Sequence, residues 1–136
     1  MTNRALVRIS ASAVLGLVCT TAHGAEWQEY FENRAGVRFA IDTSSIVRTS
    51  NGTVRAWERQ QWAKEDPKLG RGYIWLVEVD CRERTYAFKD IAPIKGTAEN
   101  LKQIPLMKEL YAGPNYFAPN DLDEARYATF CAKNKK

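Results

Sequence analysis

The ten residues from Gly72 to Cys81, GYIWLVEVDC, leave this chain few ways to fold. β-branched and aromatic residues fill the run, Gly stands at its front and no Pro interrupts it. That is the composition of a strand buried on at least one face. Side chains alternate across a strand, so Tyr73, Trp75, Val77, Val79 and Cys81 share one face, and the row ends on a sulfur pointed at the core. The partner expected for that sulfur is Cys131.

Three cysteines are present, and the first residues decide how many matter. Arg4 and Arg8 form a positive start, Ile9 to Thr21 is an apolar stretch of small residues, and Ala22-His23-Gly24 offers a cleavage site. This pattern predicts a secretory signal peptide over residues 1–24, the apolar run being too short for the roughly 20 residues a spanning helix needs. Cys19 invites a lipoprotein reading, but Leu17-Val18 precedes it where lipidation wants a small residue, so Cys19 is expected to leave with the peptide. Cleavage before Ala25 leaves 112 of the 136 residues, enough for one domain, residues 25–136.

The shortened chain is restricted in what it can do. Its net charge falls from +4 to +2 as Arg4 and Arg8 leave, too little for a nucleic-acid footprint. No later segment is apolar enough to span a membrane. His23, the single histidine, departs as well, and with it the usual general base and the commonest metal ligand. Two cysteines in an exported chain most simply form one disulfide, Cys81–Cys131. Closing a loop of that length stabilises by about 4 kcal/mol on the chain-entropy estimate. A metal-binding or reactive pair would want a nearby ligand or Cys-x-x-Cys spacing, and neither is present.

Trp27 to Phe31 alternates apolar and polar residues and reads as a strand; Asn33 to Gly36 carries turn chemistry. Val37, Phe39 and Ile41 then alternate with polar or small residues as a half-buried strand, Asp42 to Ser45 reads as a turn, and Ile46 to Arg48 as a short strand. Asn51-Gly52 predicts a hairpin of type I′, a better reading than the glycosylation acceptor that Asn51-Gly52-Thr53 also spells. Val54 to Trp62 continues as a strand partly open to solvent, with neither face cleanly apolar, and Ala63 to Arg71 as an exposed loop. After the central run, Arg82-Glu83 makes a tight connection and Thr85 to Ile91 returns as a strand. Prolines and glycines divide 92–120, where Thr97 to Gln103 and Leu106 to Tyr111 suggest two short helices. A last helix starts at Asp121 or Asn120, runs to about Lys133 and presents Ala125, Tyr127, Ala128, Cys131 and Ala132 on one side. The expected fold is α+β: one antiparallel sheet of about six strands, with a C-terminal helix disulfide-linked across one face.

The IDTSSI turn (Ile41 to Ile46), the Asn-Gly hairpin into Thr53-Val54-Arg55-Ala56-Trp57, the Val79-Asp80-Cys81 strand end followed by Arg82 and Arg84, and the late Cys131 together resemble the surface-adhesin protein E family of bacterial exported proteins. The likeness covers Trp27 to Cys131. It implies the same sheet and strapped helix, and a protein that binds host matrix and plasma proteins at the outer surface. Haem binding is attributed to the founding member, but without a histidine in the mature chain a His-ligated haem site is not carried over, and no cofactor is expected. The lipidation signal is missing too.

Three classes of function remain. A binding module is favoured by aromatics beside arginines, the residue types that dominate interface hot spots: Arg55, Trp57 and Arg59 on one strand face, followed by Trp62. Its partner would be a protein, of the host matrix or of the bacterial envelope, met in the periplasm, in the medium or on the outer surface. A structural or inhibitory periplasmic protein fits the same residues. A hydrolase would need paired carboxylates, for which Asp42, Glu58, Glu78, Asp80 and Asp90 are candidates. Glu78 and Asp80 share a strand face, yet salt-bridging or turn-capping is the commoner use of such residues. No phosphate loop, nucleophile elbow or metal-ligand spacing accompanies them. The reading is therefore non-enzymatic.

Overall fold

A computed structural model describes residues 24–132. The expected signal peptide and the terminal lysines lie outside the described residues. The described residues fold as one antiparallel sheet with two helices, α+β as expected. The strands are β1 (Trp27–Glu32), β2 (Arg38–Asp42), β3 (Val47–Arg48), β4 (Thr53–Asp66), β5 (Gly70–Asp80), β6 (Thr85–Pro93) and β7 (Asn115–Tyr116). The helices are α1 (Ala98–Leu110) and α2 (Asp121–Phe130). Strand order across the sheet is β1-β2-β4-β5-β6-β7, and β3 pairs with β4 beyond the end of β2.

The Gly72–Cys81 run lies in β5 up to Asp80, in the middle of the sheet, with Cys81 just past the strand end. Tyr73, Trp75, Val77 and Val79 are buried while Ile74, Leu76, Glu78 and Asp80 are half-exposed, so the described residues cover one face of the sheet. Register places Val54 beside Val79, Ala56 beside Val77 and Glu58 beside Trp75 on that covered face. β4 is therefore a core strand on this face and, with Arg55, Trp57 and Arg59 on the other, partly open to solvent as expected. Glycine is required at position 72: φ is +137°, and a Cβ there would sit 2.0 Å from the Gln60 carbonyl oxygen on β4.

Between β2 and β3 the chain makes one 3-10 turn, Thr43–Ser45. Asp42 caps it, its Oδ1 accepting from the Ser44 amide at 3.0 Å and the Ser44 hydroxyl at 2.6 Å, and it also accepts from the Glu26 amide at 2.9 Å. The Ser45 hydroxyl then accepts from the Trp57 amide at 2.9 Å, filling the gap on the β4 edge where β2 stops and β3 starts. β2 itself is buried on both faces, since interior position hides Ala40 between its register partners Glu29 and Arg59.

Several local expectations need correcting. The Asn51-Gly52 hairpin is not type I′: only Gly52 has positive φ, at +90°, and the Thr49 amide donates to the Thr53 carbonyl across a three-residue loop. Such a loop needs left-handed backbone at one position, which glycine supplies. The exposed loop at 63–71 is mostly strand, since β4 runs to Asp66 and β5 begins at Gly70.

The two short helices of 97–111 are a single helix, α1, with Pro105 inside it. A reciprocal cap starts it: the Asn100 amide donates to Thr97 Oγ1 and the Thr97 amide to Asn100 Oδ1. Asn100, fully buried, also donates to the carbonyls of Leu69 at 3.1 Å and Lys95 at 2.9 Å, and so pins the helix start to the β4–β5 turn. Those bonds outweigh the one backbone bond that Pro105 removes.

Helix α2 is capped by Asn120, whose side chain accepts from the Asp123 amide. Its buried stripe is Asp123, Arg126 and Phe130, not the alanine side; Ala128 and Ala132 are exposed. Burying the Phe130 ring gains more than burying methyl groups, and Arg126 finds its two-pronged partner, Glu58, on the sheet. Cys131 lies at the edge of that stripe, disulfide-bonded to Cys81 with Cα atoms 5.8 Å apart.

Candidate functional site

Chemistry-bearing residues gather on both faces of the sheet. On the covered face, Glu58 is 1% exposed at its side chain and Arg126 6%. Arg126 Nε donates to Glu58 Oε2 at 2.8 Å and Nη2 to Oε1 at 3.0 Å, a two-pronged pairing that fits guanidinium to carboxylate. Arg126 Nη1 donates to Asp123 Oδ1 at 3.1 Å, and Asp123 Oδ2 accepts from the Ala118 amide. Tyr30 donates its hydroxyl to Glu58 Oε2 at 2.7 Å.

Burial, then the Glu58 charge, pushes the Tyr30 phenol well above its ordinary range, so it remains a donor. Burial alone would lower the Arg126 pKa, but the charge and hydrogen bonds of Glu58 prevail and raise it. The network joins β1, β4 and α2.

This cluster escapes a reading by strand faces, because an acid on β4 and an arginine on α2 are 68 positions apart. A signal was present nonetheless. Glu58 follows Val54 and Ala56 on an inward row, and an inward acid demands a cation.

The other candidate acids all hold structure together. Asp42 caps the 3-10 turn, and Asp80 accepts from the amides of Arg82 and Glu83 at the β5–β6 turn. Glu78 meets Lys89 Nζ at 3.6 Å across to β6, and Asp90 meets Lys108 Nζ at 2.7 Å. Glu78 and Asp80 thus engage separate partners. Among the described residues no group of His, Cys, Asp and Glu has the arrangement of a metal site.

The second site is the opposite face of the sheet. Arg55, Trp57 and Arg59 project there from β4, beside Glu78, Leu76 and Ile74 of β5. Arg59 lies over the Trp27 ring with its guanidinium carbon 4.9 Å from the ring centre. Arg55 is exposed, and Trp57, Arg59, Trp27, Ile74 and Leu76 are half-buried. Both helices pack on the far side: Phe130 of α2 enters the core, and Tyr111, just past α1, meets Trp75 at 5.6 Å.

Trp62, grouped with these residues by sequence, belongs to the covered face. It packs against the core and meets Tyr73 edge-on at 5.9 Å. The structure therefore brings Arg55, Trp57 and Arg59 together and sets Trp62 apart. Trp27, which no strand-by-strand reading could place, joins the three because β1 pairs to β2 and β2 to β4.

Comparison with protein-family models, with curated proteins and with solved structures returns no match. Among the described residues no helix is long and apolar enough to cross a membrane.

Proposed function

We propose that this is an exported, non-enzymatic binding module that meets a protein partner through the open face of its sheet. One observation carries the reading. A sheet with both helices on one side leaves Trp57, Trp27, Arg55, Arg59, Ile74 and Leu76 contiguous on the other, a patch of aromatic and aliphatic area edged by guanidinium groups. Tryptophan and arginine supply most of the energy of protein interfaces, because each combines large contact area with directed polar contacts. The disulfide suits a periplasmic or extracellular site of action, and the likeness to the protein E family points the same way.

The test compares wild type with Trp57→Ala/Arg59→Ala as baits for periplasmic extract and for host plasma and matrix proteins. Neither side chain enters the core, so the double variant should fold, as judged by circular dichroism. A partner held by wild type and lost by the variant supports the reading, and equal capture contradicts it. Fractionation separates adhesion from a periplasmic scaffolding or inhibitory role: protein confined to the periplasm rules out the adhesin.

A further inference from the structure

Helix α1 is tied to the sheet at both ends. At its start Asn100 donates to the carbonyls of Leu69 and Lys95. At its end Lys108 Nζ meets Asp90 at 2.7 Å, and the Phe88 amide donates to the Tyr111 carbonyl at 3.3 Å. Between Met107 and Tyr111 on that side and Trp62, Tyr73, Trp75 and Phe88 of the sheet lies a cleft of ≈ 320 Å³. Its walls are preformed and apolar, and its size falls at the lower end of the range, about 300–1,000 Å³, that suits small molecules.

The rings meet at steep angles: Trp75 and Tyr111 at 86° with centres 5.6 Å apart, Trp62 and Tyr73 at 79° and 5.9 Å. An aromatic ring entering beside them finds edges and faces together, the arrangement in which ring pairs attract beyond the area they bury. The charges of the lining select against an ion. Only Glu58 and Arg126 carry them among the described residues, each is bonded to the other, and the Arg126 guanidinium carbon lies 5.8 Å from the Phe88 ring centre. An anion would find no free cation there and a cation no free carboxylate, and a charge taken out of water without a counter-charge is costly. Gln60 also lines the cleft. Its Oε1 accepts from the Trp75 indole N–H at 3.3 Å, while its Nε2 has no partner among the described residues. That bond fixes which way the carboxamide is turned and leaves its amino group as a donor.

We propose that this cleft binds a neutral aromatic small molecule that carries a hydrogen-bond acceptor, of the kind an aryl ketone represents. The ring displaces water from the aromatic walls, and the acceptor oxygen takes a hydrogen of the Gln60 amino group. The site lies on the face opposite to Trp57 and Arg59 and is independent of the protein-partner reading.

The experiment follows the indole N–H signals of the full chain by NMR during titration with acetophenone. Benzoate and benzamidinium share its shape and carry a negative and a positive charge, and cyclohexyl methyl ketone keeps the carbonyl without the aromatic ring. Acetophenone is expected to shift the Trp62 and Trp75 signals saturably and to leave those of Trp27 and Trp57 in place. It should bind at least about tenfold tighter than either ion, and at least about twofold tighter than the cyclohexyl ketone. Tyr111→Ala should weaken acetophenone by at least about twofold while circular dichroism stays unchanged; Tyr111 is 45% exposed, so the variant folds. No saturable shift at Trp62 and Trp75, equal binding of either ion or of the cyclohexyl ketone, or an unchanged affinity in Tyr111→Ala would each overturn the proposal.

Discussion

Glu58 shows how one side chain can govern the packing of a whole face. At 1% exposure its carboxylate is matched by the Arg126 guanidinium, 6% exposed, and each supplies the other's two-pronged partner. Removing one partner leaves the other uncompensated, so Glu58→Ala and Arg126→Ala should each cost about 3–5 kcal/mol in urea unfolding. Glu58→Leu/Arg126→Met should cost less than the sum, because neither member of the Glu58–Arg126 pair is left facing an absent partner, although Asp123 still loses its guanidinium. Additive losses would mean that the pair is not coupled.

Asp42 gives a prediction about pH. Burial works to raise its pKa, but hydrogen bonds from the Ser44 hydroxyl and from the backbone amides of Glu26, Ser44 and Ser45 outweigh that and hold it below the usual carboxylate range. A depressed folded pKa contributes stability that is present above the unfolded value, about 3.9, and is lost as pH falls through the folded one. Asp42→Ala should therefore cost about 1 kcal/mol at neutral pH, as the loss of a cap does. That difference should shrink below about pH 4. A gap that stays constant down to pH 2 would show that the charged form is not what these bonds favour.

At the scale of elements, α2 is held by unlike devices: the Cys81–Cys131 bond at its end, the Arg126 network in its middle, and Tyr127, whose hydroxyl donates to the Cys81 carbonyl at 3.0 Å. Arg48 adds a bond to the Phe130 carbonyl at 2.9 Å. Cys81→Ser should lower stability by about 4 kcal/mol and speed proteolytic cleavage within α2. Equal digestion of oxidised and reduced protein would show that the strap is not needed to hold the helix.

The ends of the strap were legible in the sequence because cysteines are few and β5 declares its inward row by alternation. The rotation of α2 was not. Small alanines suggested close approach on one side, while the side that packs is chosen by Phe130 and by an arginine whose partner lies on a distant strand. Helix α1 was misjudged for a different reason: proline and glycine signal a break, but Asn100 anchors the helix through three long-range or capping bonds that no local rule foresees.

For the whole molecule, the consequence is asymmetry. Among the described residues, both helices lie on one side of the sheet, and the other side keeps Arg55, Arg59, Trp27 and Trp57. Strand alternation alone predicted that Arg55, Trp57 and Arg59 share a face. It could not say whether a helix would cover that face, nor that Trp27 would arrive beneath Arg59, because strand order is set by pairing over the whole chain.

The most direct test of the open-face claim is site-directed photo-crosslinking in the native compartment, with p-benzoylphenylalanine replacing Trp57 on the open face or Ala128, which is exposed on α2. The account predicts a discrete covalent adduct with another protein from position 57 and none from position 128. Adducts from 128 alone, or none from 57 in cells producing folded, oxidised protein, would contradict it.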